Sequence, residues 1–337
     1  MTFASPAGFR AALADLRGPD QRAIAAARAR QGELTKPAGS LGRLEDIAVF
    51  LAGWRGVDRP KIARARTAIF AGNHGVTAHR ARAFPASVTA QMVANFEAGG
   101  AAINALSSAA GMELRVTALD LDAPTTDFTT APAMTEAECL AALDAGAAAV
   151  AGDLDLLAVG EMGIGNSTAA AALCLRSFGG VAADWIGPGT GVDSDGIARK
   201  AAVVERALAV HADAPTDAFE TLRRVGGREI AAIAGAVLRA RQLGIPVVLD
   251  GFISGAAIAP LAADNAAITA HCIAGHVSAE PGHPRLLARL GLEPLLALGM
   301  RLGEGSGAAV AVGVIRAALA AHDQMATFAE AQVSGSL

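Results

Sequence analysis

Apolar residues alternate along this chain between short continuous runs of strand length and longer stretches spaced as on one face of a helix. The runs at 67–71, 114–121, 156–159, 181–186 and 245–249, with a shorter one at 268–273, predict strands. Helical spacing predicts one or two amphipathic helices over 6–30 and another from Leu41 to about Trp54. A helical stretch at 85–110 is interrupted near Gly99 and Gly100, and others follow at 136–151, 166–178, 193–211 and 228–243. In the 193–211 stretch, Ile197, Ala201, Val204 and Leu208 fall on one stripe. A last helix begins after the segment 303–307. Strands apolar on both faces, alternating with helices, predict an α/β fold: a mainly parallel, Rossmann-like sheet with helices on both faces. Residues 1–60 and 305–337 lack strands and are expected to pack as a small helical domain beside an α/β domain of 61–304. No period of 20 to 50 residues recurs, so a solenoid is excluded.

Composition narrows this picture. The 337 residues are 53% hydrophobic but include only 11 Phe, 2 Trp and no Tyr, so the core must be built of small aliphatic side chains. A net charge of −4, with no basic residues interleaved among aromatics, excludes a nucleic-acid surface. Charges interrupt every apolar run before it reaches bilayer length, as Arg316 does in 308–321. The N-terminus lacks the apolar core of a signal peptide, so a soluble cytoplasmic protein is expected. Cys139, Cys174 and Cys272 are far apart and form no C-x-x-C pair; they read as small core residues. Lysine occurs only at positions 36, 61 and 200, which makes each one a candidate for a specific role.

The densest chemistry lies in 153–178. A short strand meets Gly160, Gly163 and Gly165, and then Asn166, Ser167 and Thr168, good N-caps for an alanine-rich helix. Strand, glycine turn and helix start together make an anion site suited to phosphate. Gly160-x4-Gly165-Asn166-Ser167 has P-loop glycine spacing, but Asn166 replaces the lysine, which argues against an ATPase. Glu161 would repel a polyphosphate and can instead accept hydrogen bonds from sugar hydroxyls; a plain βα turn, with glycines only for packing, has equal weight. Glycine-rich corners recur at 72–76, 187–191, 250–255 and 275–282. In an open α/β sheet such loops converge at the carboxyl ends of the strands, so one shared phosphate site accounts for all of them.

Other candidates carry two readings each. His74 and His79 lack a third ligand at helical spacing, so hydrogen-bonding or structural roles outweigh a metal. Lys36 and Arg43 either meet a substrate anion or solvate a loop and a helix start. The segment 247–255 loosely resembles a phosphoribosyl-pyrophosphate motif, yet Gly251 stands where a second acid would follow Asp250, which suggests a sugar monophosphate donor that leaves without metal help. Glu304, between Gly303 and Gly305 and beside Leu302, suits a general base raised in pKa by desolvation. A solvated glutamate favoured by a helix dipole fits the spacing slightly better.

Taken in order, LTKPAGSLGRLE, AGNHGV, VTAQMVANF, VGEMGIGNST, GPGTGVD, ARKAAVVERAL, VVLDGFISG, GHVSAEPGH and LGMRLGEGSGAA span Leu34 to Ala309. As a set they closely resemble the nicotinate-nucleotide–dimethylbenzimidazole phosphoribosyltransferases of cobalamin nucleotide-loop assembly. The resemblance implies transfer of ribosyl phosphate from nicotinate mononucleotide to a benzimidazole nitrogen, with release of nicotinate, no cofactor or metal, and a homodimer. On the matching motifs Glu304 corresponds to the proton acceptor and, with Glu161, is the catalytic candidate. Glu161, Gly163, Gly189, Lys200, Gly251, Phe252 and Ser278 match positions around the ribose and phosphate, and Phe84, Gln91 and Leu302 match the base pocket. Where the family commonly carries a serine and an aromatic hydroxyl, this chain has Ala83 and Phe84. Two other classes compete. A non-catalytic cobalamin-pathway binding protein would keep the anion loops without needing Glu304. A dinucleotide-dependent oxidoreductase would need a complete G-x-G-x-x-G turn, which neither 163–165 nor 187–191 supplies.

Overall fold

A computed structural model describes residues 3–80, 82–189 and 191–334. Six strands form one sheet in the order β2-β1-β3-β4-β5-β6: β1 Ala65–Ala71, β2 Glu113–Ala118, β3 Leu156–Met162, β4 Val247–Leu249, β5 Cys272–His276 and β6 Pro294–Leu296. All five pairings are parallel, as expected from strands apolar on both faces. Successive residues serve opposite cores. Leu157 and Val159 of β3, with Val247 and Leu249 of β4, pack into the core under helices Glu136–Ala148, Asn166–Phe178, Arg228–Leu243 and Phe252–Asp264. Leu156, Ala158 and Val248 pack into the other, with helices Arg43–Arg55 and Ser306–Gln324.

Small residues let these layers approach closely. Helices Glu136–Ala148 and Arg228–Leu243 touch so tightly that a Cβ at Gly146 would lie 1.8 Å from the Ala232 carbonyl oxygen. All three cysteines are free and buried. Helix Gln21–Glu33 packs on Arg43–Arg55, which packs on Ser306–Gln324, and the last also contacts β3, β4, β5 and β6. Arg30 donates to the carbonyls of His322, Asp323 and Met325, joining the two ends of the chain.

Several elements differ from the sequence-based expectation. Residues 181–186 form no strand; the Asp184 carboxylate accepts the Val181 N–H at 3.0 Å and closes a 3-10 turn, Ala182–Asp184. The strand expected at 268–273 begins only at Cys272, because Asn265 caps a 3-10 turn over Ala266–His271. Asn166 does not cap its helix: Gly165 is the N-cap, at φ 97°, and the Asn166 side chain turns to Glu161. Helices Ala218–Val225, Phe252–Asp264 and Gly282–Leu290 and strand β6 are additions to the expected elements. Phe252–Asp264 is buried on nearly every side and contains Pro260, so it shows no amphipathic period.

Candidate active site

The carboxyl ends of β3, β4 and β5 open onto one cavity, beside the point where the strand order reverses between β1 and β3. On β3, Glu161 accepts a short hydrogen bond from the Asn166 amide. Its carboxyl is pushed up to about 8, chiefly by burial, then by the negative charges of Asp250 and Glu229. Lys200, buried on helix Ser194–Val210, donates to Ser167 Oγ at 3.0 Å and to the Gly187 carbonyl at 3.1 Å. Burial pulls its pKa down while Glu280 opposes the shift, and the Glu280 carboxyl is itself raised by burial.

Glu304 enters on a turn of unusual backbone. Gly303, Glu304 and Gly305 have φ of 85°, 63° and 82°, so a glutamate occupies the left-handed region between two glycines. That conformation costs about 1–2 kcal/mol for a residue with a Cβ, the kind of strain that collects at functional sites. Asp250 fixes the turn by accepting the amides of Gly305 at 3.2 Å and Ala308 at 3.0 Å. The Glu304 carboxyl is raised to about 7 by burial and then by Asp250. Ser278 N–H donates to His283 Nδ1 at 2.9 Å, which marks that imidazole as a neutral acceptor; burial and His276 lower its pKa to about 4. Phe84 and Leu302 line the rim, each nearly half exposed. The cavity thus brings together two carboxyls raised by burial to about 8 and about 7, the buried ammonium of Lys200 with Glu280 beside it, and the apolar side chains of Phe84 and Leu302 at its rim.

A family model described as phosphoribosyltransferase matches residues 16–333. The nicotinate-nucleotide–dimethylbenzimidazole phosphoribosyltransferase of Novosphingobium aromaticivorans is 72% identical over 99% of both chains. The chain belongs to the nicotinate-nucleotide–dimethylbenzimidazole phosphoribosyltransferase family. The Cereibacter sphaeroides relative of the same name is 57% identical over 98% of both chains. A solved structure of that name from Thermus thermophilus is 39% identical, with a TM-score of 0.86, covering 94% of this chain and all of its own.

In this phosphoribosyltransferase, ten residues singled out from the sequence line the one cavity: Phe84, Glu161, Gly163, Gly189, Lys200, Gly251, Phe252, Ser278, Leu302 and Glu304. Gln91 does not join them; it lies on an exposed face of helix Ser87–Glu97, whose buried Thr89 instead accepts the Ile164 N–H. The corner 72–76 sits behind the cavity, where His74 bonds Glu229 at 2.6 Å, and His79 bonds Asp127 and Thr129. Thr190, within the expected 187–191 corner, lies outside the described residues. Lys36 pairs with Glu45, and Arg43 holds the carbonyls of Glu293 and Pro294, both away from the cavity. Sequence reasoning missed Arg82, His276, Glu280 and Arg301 as lining residues. Three of them sat inside quoted motifs, His276 and Glu280 in GHVSAEPGH and Arg301 in LGMRLGEGSGAA, which were the available signal.

Proposed function

We propose that this enzyme transfers the ribosyl phosphate of nicotinate mononucleotide to 5,6-dimethylbenzimidazole or a related base, giving α-ribazole phosphate and nicotinate. The observation that carries the reading is a buried carboxyl, Glu304, poised near neutrality in the same cavity as a buried lysine. The benzimidazole nitrogen lone pair forms a bond to C1′ as the C1′–pyridinium bond breaks. That electron pair returns to the ring nitrogen, so nicotinate leaves without protonation. Attack from the face opposite the leaving ring inverts β to α. The base then carries an extra proton on its other nitrogen, and Glu304 accepts it. Glu161 and the glycines at 163, 189 and 251 are assigned to the ribose and phosphate, with Phe252 and Ser278. Phe84 and Leu302 are assigned to the base, and Gln91 is retained there only on the strength of the resemblance. A non-catalytic binding protein would take up both ligands and release no nicotinate, which chromatography of the mixture decides.

Lys200 is the proposed phosphate anchor. Lys200→Ala should raise KM for the nucleotide by about 10- to 100-fold, the scale of a lost charge-assisted hydrogen bond, and lower kcat far less. An unchanged KM would remove it from the phosphate site. At the rim, Ala83 and Phe84 offer stacking and shape but no hydroxyl. Apolar pockets sort methyl groups at about 1–3 kcal/mol each. The enzyme should therefore favour dimethylbenzimidazole over benzimidazole yet use both, and use adenine poorly, because its amine would be buried without a partner. Competition between paired bases, with the product nucleotides counted, tests this; preference for adenine would contradict it.

Three further features belong to the same proposal. The protein acts as a homodimer, a reading that rests on the resemblance and is checked by light scattering, and in the cytoplasm, a reading that rests on the sequence pattern and is checked by fractionation. No helix among the described residues is long and apolar enough to cross a membrane. For the division into 1–60 with 305–337 and 61–304, the mutual packing of helices Gln21–Glu33, Arg43–Arg55 and Ser306–Gln324 speaks in favour, while helix Ser306–Gln324 also covers one face of the sheet and Phe3, Phe9 and Leu13 join the core on the other.

A further inference from the structure

Asp250 is a buried carboxylate that takes no part in the reaction as written. It follows β4 in the interior of the sheet and is 1% exposed. Both its oxygens serve a different element, accepting the amides of Gly305 and Ala308. Helix Ser306–Gln324 has no cap of its own, because its N-cap residue is Gly305. Asp250 supplies that cap from the loop after β4, and so restrains the turn on which Glu304 is held left-handed.

Its charge is also poorly compensated. Among the described residues its one ion-pair partner is His276, with Nε2 3.5 Å from Oδ1, and neither His276 ring nitrogen makes a hydrogen bond. Glu229, the other acid behind Glu161, differs in having His74 at 2.6 Å. The titratable groups that feel Asp250 come from four elements: Glu161 on β3, Glu304 before the last helix, His276 on β5 and His283 on helix Gly282–Leu290. Lys200 spends its charge beside Glu280, and Arg82 and Arg301 lie elsewhere on the cavity wall. Carboxylates enclosed together resist simultaneous ionisation.

We propose that Asp250 is the positioning residue of this site: both of its oxygens clamp the turn that aims Glu304, and its buried carboxylate sets the charge against which Glu161 and Glu304 divide their roles. Two neighbouring carboxyls then do different work. Glu304 takes the proton of the attacking base. Glu161, in its acid form, donates its O–H to a ribose oxygen without setting a negative charge against the phosphate. The raised proton affinities, about 8 for Glu161 and about 7 for Glu304, agree with that order.

The inference rests on the proposed transfer reaction, and nicotinate release against pH tests it. In the wild type, kcat/KM for nicotinate mononucleotide should rise through about 7 as Glu304 loses its proton and fall above about 8 as Glu161 does. Asp250→Asn removes the charge and one of the two amide contacts. Both limbs should then move down by about one pH unit, while kcat at the optimum falls about 10-fold or more as the turn loosens. A purely structural aspartate would lower kcat and Tm with both limbs unmoved, and that result overturns the proposal. Should Asp250→Asn fail to fold, the wild-type profile still decides: a rising limb in the ordinary carboxylate range, about 4, overturns it. Wild-type protein that releases no nicotinate at any pH overturns the transfer reaction itself, and this inference with it.

Discussion

Glu304→Gln is expected to bind nicotinate mononucleotide as the wild type does and to lose turnover by about 10²-fold or more, the usual scale for a lost general base. The substitution keeps the shape of the side chain and one acceptor oxygen, turns the other into an NH2 donor, and leaves an amide that cannot hold the proton that the attacking base sheds. The left-handed backbone at 304 is no harder for glutamine than for glutamate, so the turn and the Asp250 clamp should survive. Calorimetric binding of the nucleotide beside single-turnover rates separates the two effects. Near-normal turnover in the variant would remove Glu304 from the mechanism.

Gly160→Ala should be nearly as damaging, although residue 160 touches no substrate in the proposed reaction. A Cβ there would lie 2.5 Å from the Gly305 nitrogen and 2.6 Å from the Glu304 carbonyl carbon. β3 cannot yield, because it is hydrogen-bonded to β1 on one side, with Ile69 opposite Gly160, and to β4 on the other. The turn carrying Glu304 must therefore move. Displacement of a catalytic group by about 1 Å costs on the order of 10²-fold, and overpacking should destabilise the fold by about 1–3 kcal/mol. Turnover and Tm measured together check both; an alanine variant with wild-type kcat would show that the close approach does not position Glu304.

The parts of this protein that were readable in sequence are those where one physical demand dominates. Parallel strands buried on both faces must be continuous apolar runs, and the corners after them must turn sharply, so β1, β3 and β4 and their glycine loops stood out. Glu304 was a candidate because it lies between two glycines beside Leu302, but spacing alone favoured a solvated glutamate at a helix start, and the motif resemblance singled it out. Strand β6 was not readable: three residues beginning with Pro294, at the sheet edge, carry almost no pattern. Residues 181–186 looked like a strand because of their apolar run, but the side chain of Asp184, bonding back to the Val181 amide, outweighs that local preference. Asn166 looked like a cap, and only the approach of Glu161 explains why its amide turns elsewhere. The role proposed for Asp250 could not be read at all, since it depends on the register of β4 against the start of a helix more than fifty residues later.

The central claim, base-assisted ribosyl transfer, is tested most directly by the products. Nicotinate mononucleotide and 5,6-dimethylbenzimidazole are incubated with the enzyme, nicotinate and the new nucleotide are quantified by chromatography, and the anomeric proton of the nucleotide is read by NMR. Equal amounts of nicotinate and an α-configured ribazole phosphate, with nicotinate release depending on added base, are expected. Nicotinate released at the same rate without the base, a β-configured product, or tight binding of both ligands with no nicotinate at all would contradict it.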